Sequence, residues 1–246
     1  SEATGLKWAE AAGGVDGIVS TANATAISID ASERVGIGVS SLSAPLQIRK
    51  RLSSVGQTTP ETVLLLETDA DSGNMAVGNG TRILFKIADD ETNPSVGASI
   101  DAVRADSDDS ISSTDLVFST SQNDETLDEA LRIDFSGNVG IGVTPDSWHA
   151  GTVRALQFGG GAEDWGGGAV WSYLQQDWDP HFNVSENVYF SNTLDNCRYS
   201  EENKASLYRQ QFGTHTFKVA PSGTQGTIVS WTTAMTIDNS GDTKFY

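Results

Sequence analysis

The sequence is poor in cysteine, in basic residues and in long apolar runs. Cys197 is the only cysteine among 246 residues, which excludes a disulfide within the chain and a cysteine-rich zinc site. Lys and Arg number 15 against 33 Asp and Glu, a formal charge of −18, so nucleic acid is not an expected partner. No apolar run approaches the roughly 18 residues of a transmembrane helix, so we expect no membrane insertion.

Signals for catalysis or metal binding are also missing. His149, His181 and His215 are too far apart in the sequence to form a local ligand motif. No segment resembles a nucleophile elbow, and the glycine-rich runs lack the Lys and Ser or Thr of a phosphate loop. We therefore predict no catalytic residue, no metal site and no cofactor, and we expect that the chain is not an enzyme.

The composition is typical of short strands joined by many turns. Glycine contributes 25 residues, Ser, Thr, Asn and Asp are plentiful, and hydrophobic residues make up only 37%. This profile predicts an all-β fold. The acidity is uneven, because residues 61–130 hold 16 acidic side chains against Arg82, Lys86 and Arg104, and this favours a solvated, repulsive surface.

One motif occurs three times at a fixed spacing. Copies begin at Ala26, Ala130 and Ala234, each 104 residues after the last, and read AISIDASERVGIGV, ALRIDFSGNVGIGV and AMTIDNSGDTKFY. Equal spacing of one motif indicates successive modules. We divide the chain into an entry linker, two β-modules and the start of a third copy, at residues 1–25, 26–130, 131–234 and 235–246.

Each copy has the pattern of a β-hairpin with one apolar face. In the second copy Leu131 and Ile133 alternate with polar residues, a Ser-Gly-Asn turn follows, and Val139 and Ile141 alternate with glycines. The glycines either let another strand approach closely or mark bends, and the pattern does not choose between these. A hairpin of this size is marginal alone in water, so its apolar face needs a cover, most simply the same hairpin from sister chains around an axis.

The repeat resembles an element of bacteriophage tail fibres. The run IDFSGNVGIGVTP, from Ile133 to Pro145, is similar to a motif that recurs in these fibres and in related trimeric adhesins. The stretch TGLKWAEAAGG, residues 4–14, resembles the linker before such modules, and residues 188–238 resemble a module common among them.

The resemblance implies an elongated homotrimeric fibre of short β-hairpin and β-sandwich-like modules, with two modules per chain. It implies a place in the virion as a tail fibre, contact with other tail or baseplate proteins, and attachment to a host surface glycan or protein. A purely structural shaft or adaptor is an alternative function, and a polysaccharide-degrading tailspike is a third. The resemblance supplies no catalytic residues.

Aromatic residues are concentrated in the second module. Before Ala130 there are only Trp8, Phe85 and Phe118, whereas Trp and Tyr crowd into residues 148–190 together with carboxylates. Aromatic faces and carboxylates can bind sugars by stacking and by accepting hydroxyl hydrogen bonds, but large rings fill cores equally well. The candidate receptor-binding residues are Trp165, Trp171, Tyr173, Trp178, Asp164 and Asp177.

Overall fold

The computed structural model describes residues 27–50, 59–69, 75–88, 94–106, 113–121, 126–149, 151–159, 167–173, 181–191 and 196–246. All regular secondary structure in these ranges is β-strand, which confirms the all-β prediction. None of these residues forms a helix able to cross a membrane. The chain divides into two compact units, residues 1–67 and residues 68–246.

The first unit contains a three-stranded sheet built on the first copy of the repeat. Strands β1 (Ile27–Ile29) and β2 (Val35–Ile37) form an antiparallel hairpin. Strand β3 (Leu46–Ile48) then pairs parallel to β2, with Gln47 opposite Gly36. The repeat unit is thus a hairpin followed by a parallel third strand.

The second unit contains a twelve-stranded sheet and a separate two-stranded ribbon, β12 (Val188–Phe190) and β13 (Cys197–Tyr199). From one edge to the other, the strands of the large sheet are β4 (Gly80–Ala88), β5 (Pro94–Arg104), β6 (Thr114–Thr120), β7 (Asp128–Ile133), β8 (Val139–Ile141), β9 (Val153–Phe158), β10 (Gly168–Tyr173), β11 (His181–Glu186), β14 (Ala205–Gln211), β15 (Thr214–Ala220), β16 (Thr232–Ile237) and β17 (Thr243–Phe245).

Each pair of neighbouring strands in the large sheet is antiparallel except β8 and β9, which are parallel. This exception reproduces the first unit, because Val139 lies opposite Leu156 as Val35 lies opposite Leu46. The predicted module boundary after residue 130 falls inside β7, so one sheet continues across it.

All three copies of the repeat form the predicted hairpin in the same register. Ile27 pairs with Ile37, Leu131 with Ile141, and Met235 with Phe245, and each pair is displaced by 104 residues from the one before it. The fixed spacing in the sequence therefore corresponds to one conserved pairing scheme.

An aspartate at the start of each turn organises these hairpins. The Asp134 carboxylate accepts hydrogen bonds from the backbone N–H of Ser136 (2.9 Å) and Asn138 (2.8 Å), and Asp30 and Asp238 do the same in the other copies. The turn ends on a left-handed residue, which is Gly137 in the second copy (φ 84°) and Glu33 in the first (φ 61°). A three-residue hairpin loop with a glycine-favouring last position has this geometry.

The paired glycines make room for the chain's own backbone. A Cβ atom on Gly140 would lie 2.0 Å from the carbonyl oxygen of Val143, and one on Gly36 would lie 2.3 Å from that of Val39. The segment after the hairpin thus folds back over these glycines. Lys244 occupies the equivalent position in the third copy.

Candidate functional site

Two of the candidate receptor residues are buried in the chain, and four lie outside the described residues. Trp171 and Tyr173, on β10, are 1% and 4% exposed. Trp165, Trp178, Asp164 and Asp177 fall in the ranges 160–166 and 174–180, which the structure does not describe.

Trp171 is the centre of an aromatic core between the large sheet and the ribbon. Its ring centroid lies 5.6 Å from those of Trp148 and Phe190, and its indole N–H donates to the Ser185 hydroxyl at 3.0 Å. Tyr173 packs on Phe190 with a centroid distance of 4.8 Å. Buried rings with satisfied donors favour the core interpretation that the sequence left open.

A partly buried carboxylate supports this core. Asp146 accepts hydrogen bonds from the Gln157 side-chain amide (2.8 Å) and the Ser200 hydroxyl (3.0 Å), and Gln157 in turn accepts the indole N–H of Trp148 (3.0 Å). Burial raises the pKa of Asp146, because desolvation disfavours the charged form and outweighs these hydrogen bonds. The network therefore ties the segment that contains Asp146 and Trp148 to Gln157 of β9 and to Ser200.

The same side of the sheet carries paired charges on β4 to β7. Arg82 binds both oxygens of Asp101 at 2.7 and 2.8 Å. Arg132 binds Asp115 at 2.6 Å and also Glu129, and the hydrogen bond to Glu129 is the main cause that raises the pKa of the Arg132 guanidinium. These groups line a cavity of about 570 Å³.

In these pairs the carboxylates are bound by arginines of the same chain. The two carboxyl groups of a glycosidase must instead flank a substrate bond at a set separation. The arrangement on β4 to β7 fits an ion network that orders the sheet. Among the residues that the structure describes, no group of three His, Cys, Asp or Glu side chains is placed to hold a metal ion.

The opposite face of the large sheet carries a continuous line of apolar residues, one from each strand except β4, which contributes Thr81. Each member lies directly opposite the next in the strand register. We call this line the apolar row, and it consists of Thr81, Ala102, Leu116, Ile133, Val139, Leu156, Val170, Val184, Tyr208, Phe217, Met235 and Phe245.

Nothing in the described chain covers this row. None of its members is buried, and Val184, Phe217 and Phe245 keep 43%, 40% and 75% of their surface exposed. By contrast, Trp171, the neighbour of Val170 on the other face, is buried. In the first unit, Ile29 and Leu46 hold the corresponding positions and are exposed as well.

An exposed apolar surface of this length indicates an interaction surface, because monomeric soluble proteins rarely leave so extended a patch in water. The row contains no charged residue. It was not identified from the sequence, where only the hairpin positions Ile133 and Val139 stood out. No protein-family model matches the chain, and no curated protein is significantly similar to it.

Proposed function

We propose that the chain is a segment of a homotrimeric, non-enzymatic virion fibre that attaches to a host cell surface. Its apolar row packs against the rows of sister chains around a common axis. The apolar row is the observation that carries this proposal, because it is the surface that a single chain leaves in water.

The size of the face supports a stable association. Twelve strands at about 4.8 Å spacing give a row roughly 55 Å long, and strands of about six residues give the face a width of roughly 20 Å. The apolar row occupies only part of this width, so its length across twelve strands is the feature that favours association between copies.

The charge distribution favours this face over the other for contact between copies. Each chain carries a formal charge of −18, so identical chains repel one another in most orientations. The apolar row brings copies together without opposing like charges. Arg82, Asp101 and Arg132 lie on the opposite face of the same strands, which then faces outward.

The virion location, the tail or baseplate partners and the choice of three chains follow from the resemblance to tail fibres. The repeat that carries this resemblance forms the same hairpin three times, which agrees with a modular shaft. The host partner is a surface glycan or protein.

Light scattering on the intact chain tests the proposal. We expect a mass of three times 26.1 kDa. Binding of the labelled protein to a panel of bacterial envelopes then tests attachment. A stable monomer at micromolar concentration contradicts the trimeric fibre.

A purely structural shaft is the second candidate function. The burial of Trp171 and Tyr173 favours it, because these aromatic side chains form part of the core. A shaft forms the trimer but binds no envelope. The envelope assay therefore separates the two functions.

A further inference from the structure

A cleft at the ends of four strands has the chemistry of a site for an uncharged sugar. It has a volume of about 400 Å³ and lies where β10 ends, β11 begins, and β14 turns into β15. Its lining residues are Ser172, Tyr173, His181, Phe182, Gln210, Gln211, Phe212, Gly213, Thr214 and His215.

The tip of this cleft is a turn that presents an aromatic ring at a conformational cost. Gln211 pairs with Thr214, so Phe212 and Gly213 form a two-residue hairpin loop, with φ angles of 50° and 76°. Loops with two positive φ angles strongly favour Asn-Gly, and bulky residues seldom adopt this backbone. Phe212 does so while 65% of its surface is exposed, so packing in the chain does not explain the choice. Strained residues of this kind cluster at binding sites.

A second exposed ring lies among polar neighbours. Phe182 pairs with Ser172 on one side and Gln210 on the other, and it is 42% exposed. Two residues further into the sheet, on the same face, the equivalent residues are Val170, Val184 and Tyr208, members of the apolar row. At the end of the face where β11 begins, the apolar side chains are therefore followed by polar ones. Phe182 is an aromatic ring between two polar side chains there.

The polar groups of the cleft are amides, hydroxyls and imidazoles. His215 is held by a 2.5 Å hydrogen bond between its Nδ1 and the Tyr208 hydroxyl, which leaves Nε2 for a ligand. Among the described residues that line the cleft, none is Asp, Glu, Lys or Arg, although the chain as a whole carries −18. Amides and hydroxyls both donate and accept hydrogen bonds, which suits the hydroxyl groups of a sugar. The described lining residues include no carboxylate, lysine or arginine that would pair with a charged sugar.

We propose that this cleft binds a neutral pyranose, with its C–H face on Phe212 or Phe182 and its hydroxyls on Gln210 and His215. The inference deepens the proposed attachment function and rests on it for biological meaning. It places recognition at the β14–β15 turn, on phenylalanine rings and uncharged polar side chains.

Saturation-transfer NMR on the intact protein tests the site. The probes are methyl glucopyranoside, methyl galactopyranoside and methyl mannopyranoside, with glucuronate and glucosamine as charged counterparts. We expect transfer to ring C–H protons of at least one neutral probe and none to the charged sugars. Absence of transfer to every neutral probe, or equal transfer to a charged one, overturns the inference.

The variant Phe212→Asn separates recognition from folding, because Asn suits the left-handed position while the ring is lost. We expect binding about tenfold weaker, the upper range for one aromatic contact, with thermal stability unchanged or higher. Phe135→Ala is the matched control, since Phe135 is an equally exposed ring in another hairpin turn. It should bind like the parent chain, and unaltered binding by Phe212→Asn contradicts the site.

Light scattering on the same samples distinguishes the two proposals. A trimer that gives no transfer refutes the sugar site and leaves the fibre standing. A monomer that binds the sugar refutes the fibre and leaves the cleft standing.

Discussion

Substitution of Val184 by aspartate tests whether the apolar row joins the chains. Val184 lies at the middle of β11, between Val170 and Tyr208 of the row, and 43% of its surface is exposed in the single chain. We expect Val184→Asp to convert the proposed trimer into monomers.

The size of the effect follows from the exposed area. Covering roughly 65 Å² of this side chain contributes about 1.5 kcal/mol at about 25 cal/mol per Å². Three copies contribute about 5 kcal/mol, which corresponds to more than a thousandfold in the association constant. The three carboxylates also repel one another, and each loses water on burial, so this value is a lower bound.

Sedimentation velocity over a concentration series measures the effect. The matched control is Thr216→Asp, which adds the same charge to β15 on the opposite face, where Thr216 pairs with Arg209. Circular dichroism checks that both variants keep their strands. A Val184→Asp trimer as stable as the parent, or equal dissociation of Thr216→Asp, refutes the interface.

Three further outcomes concern the chain itself. Trp171→Ala should cost about 3–5 kcal/mol in urea unfolding because it empties the core, whereas Trp171→Phe should cost only about 1 kcal/mol for the lost bond to Ser185; equal, small losses would contradict the core role. Glu33→Gly should raise the melting temperature and Gly137→Ala should lower it, since both positions have positive φ; calorimetry decides, and the opposite signs would refute the turn geometry. Asp146→Asn should stabilise the chain at neutral pH, because the raised pKa of Asp146 means that its charged form destabilises the fold above that pKa and protonation relieves this cost as the pH falls. Urea unfolding at several pH values should therefore show the gain at neutral pH and its loss in acid, and a gain that is independent of pH would contradict this reasoning.

The hairpins were predictable from the sequence because the residues that determine each hairpin lie within one short segment of the chain. Alternation fixed the paired faces of Leu131 and Ile133, and the turn residues fixed the register. The parallel third strand was not predicted, although LQI at Leu46 and LQF at Leu156 resemble each other. Their separation is 110 residues rather than 104, so a search at one fixed period passes over them.

The apolar row could not be predicted from sequence patterns, for a different reason. Val170 and Trp171 are adjacent apolar residues of β10, so hydrophobicity alone does not reveal that Trp171 faces the core and Val170 the open side. The row also depends on register shifts in three strand pairs, between Phe118 and Ser119 for example, which change the facing of every later residue. The cleft at Phe212 depends on a backbone angle that no composition rule predicts.

The single parallel pairing in the large sheet gives the molecule a polarity. From β7 to β16 the chain makes six antiparallel steps and one parallel step, between β8 and β9. Six reversals return a strand to its starting direction, so the second and third hairpins point the same way. Seven reversals would have inverted every other copy. Insertion or removal of a whole repeat therefore leaves the direction of the strands that follow it in the sheet unchanged.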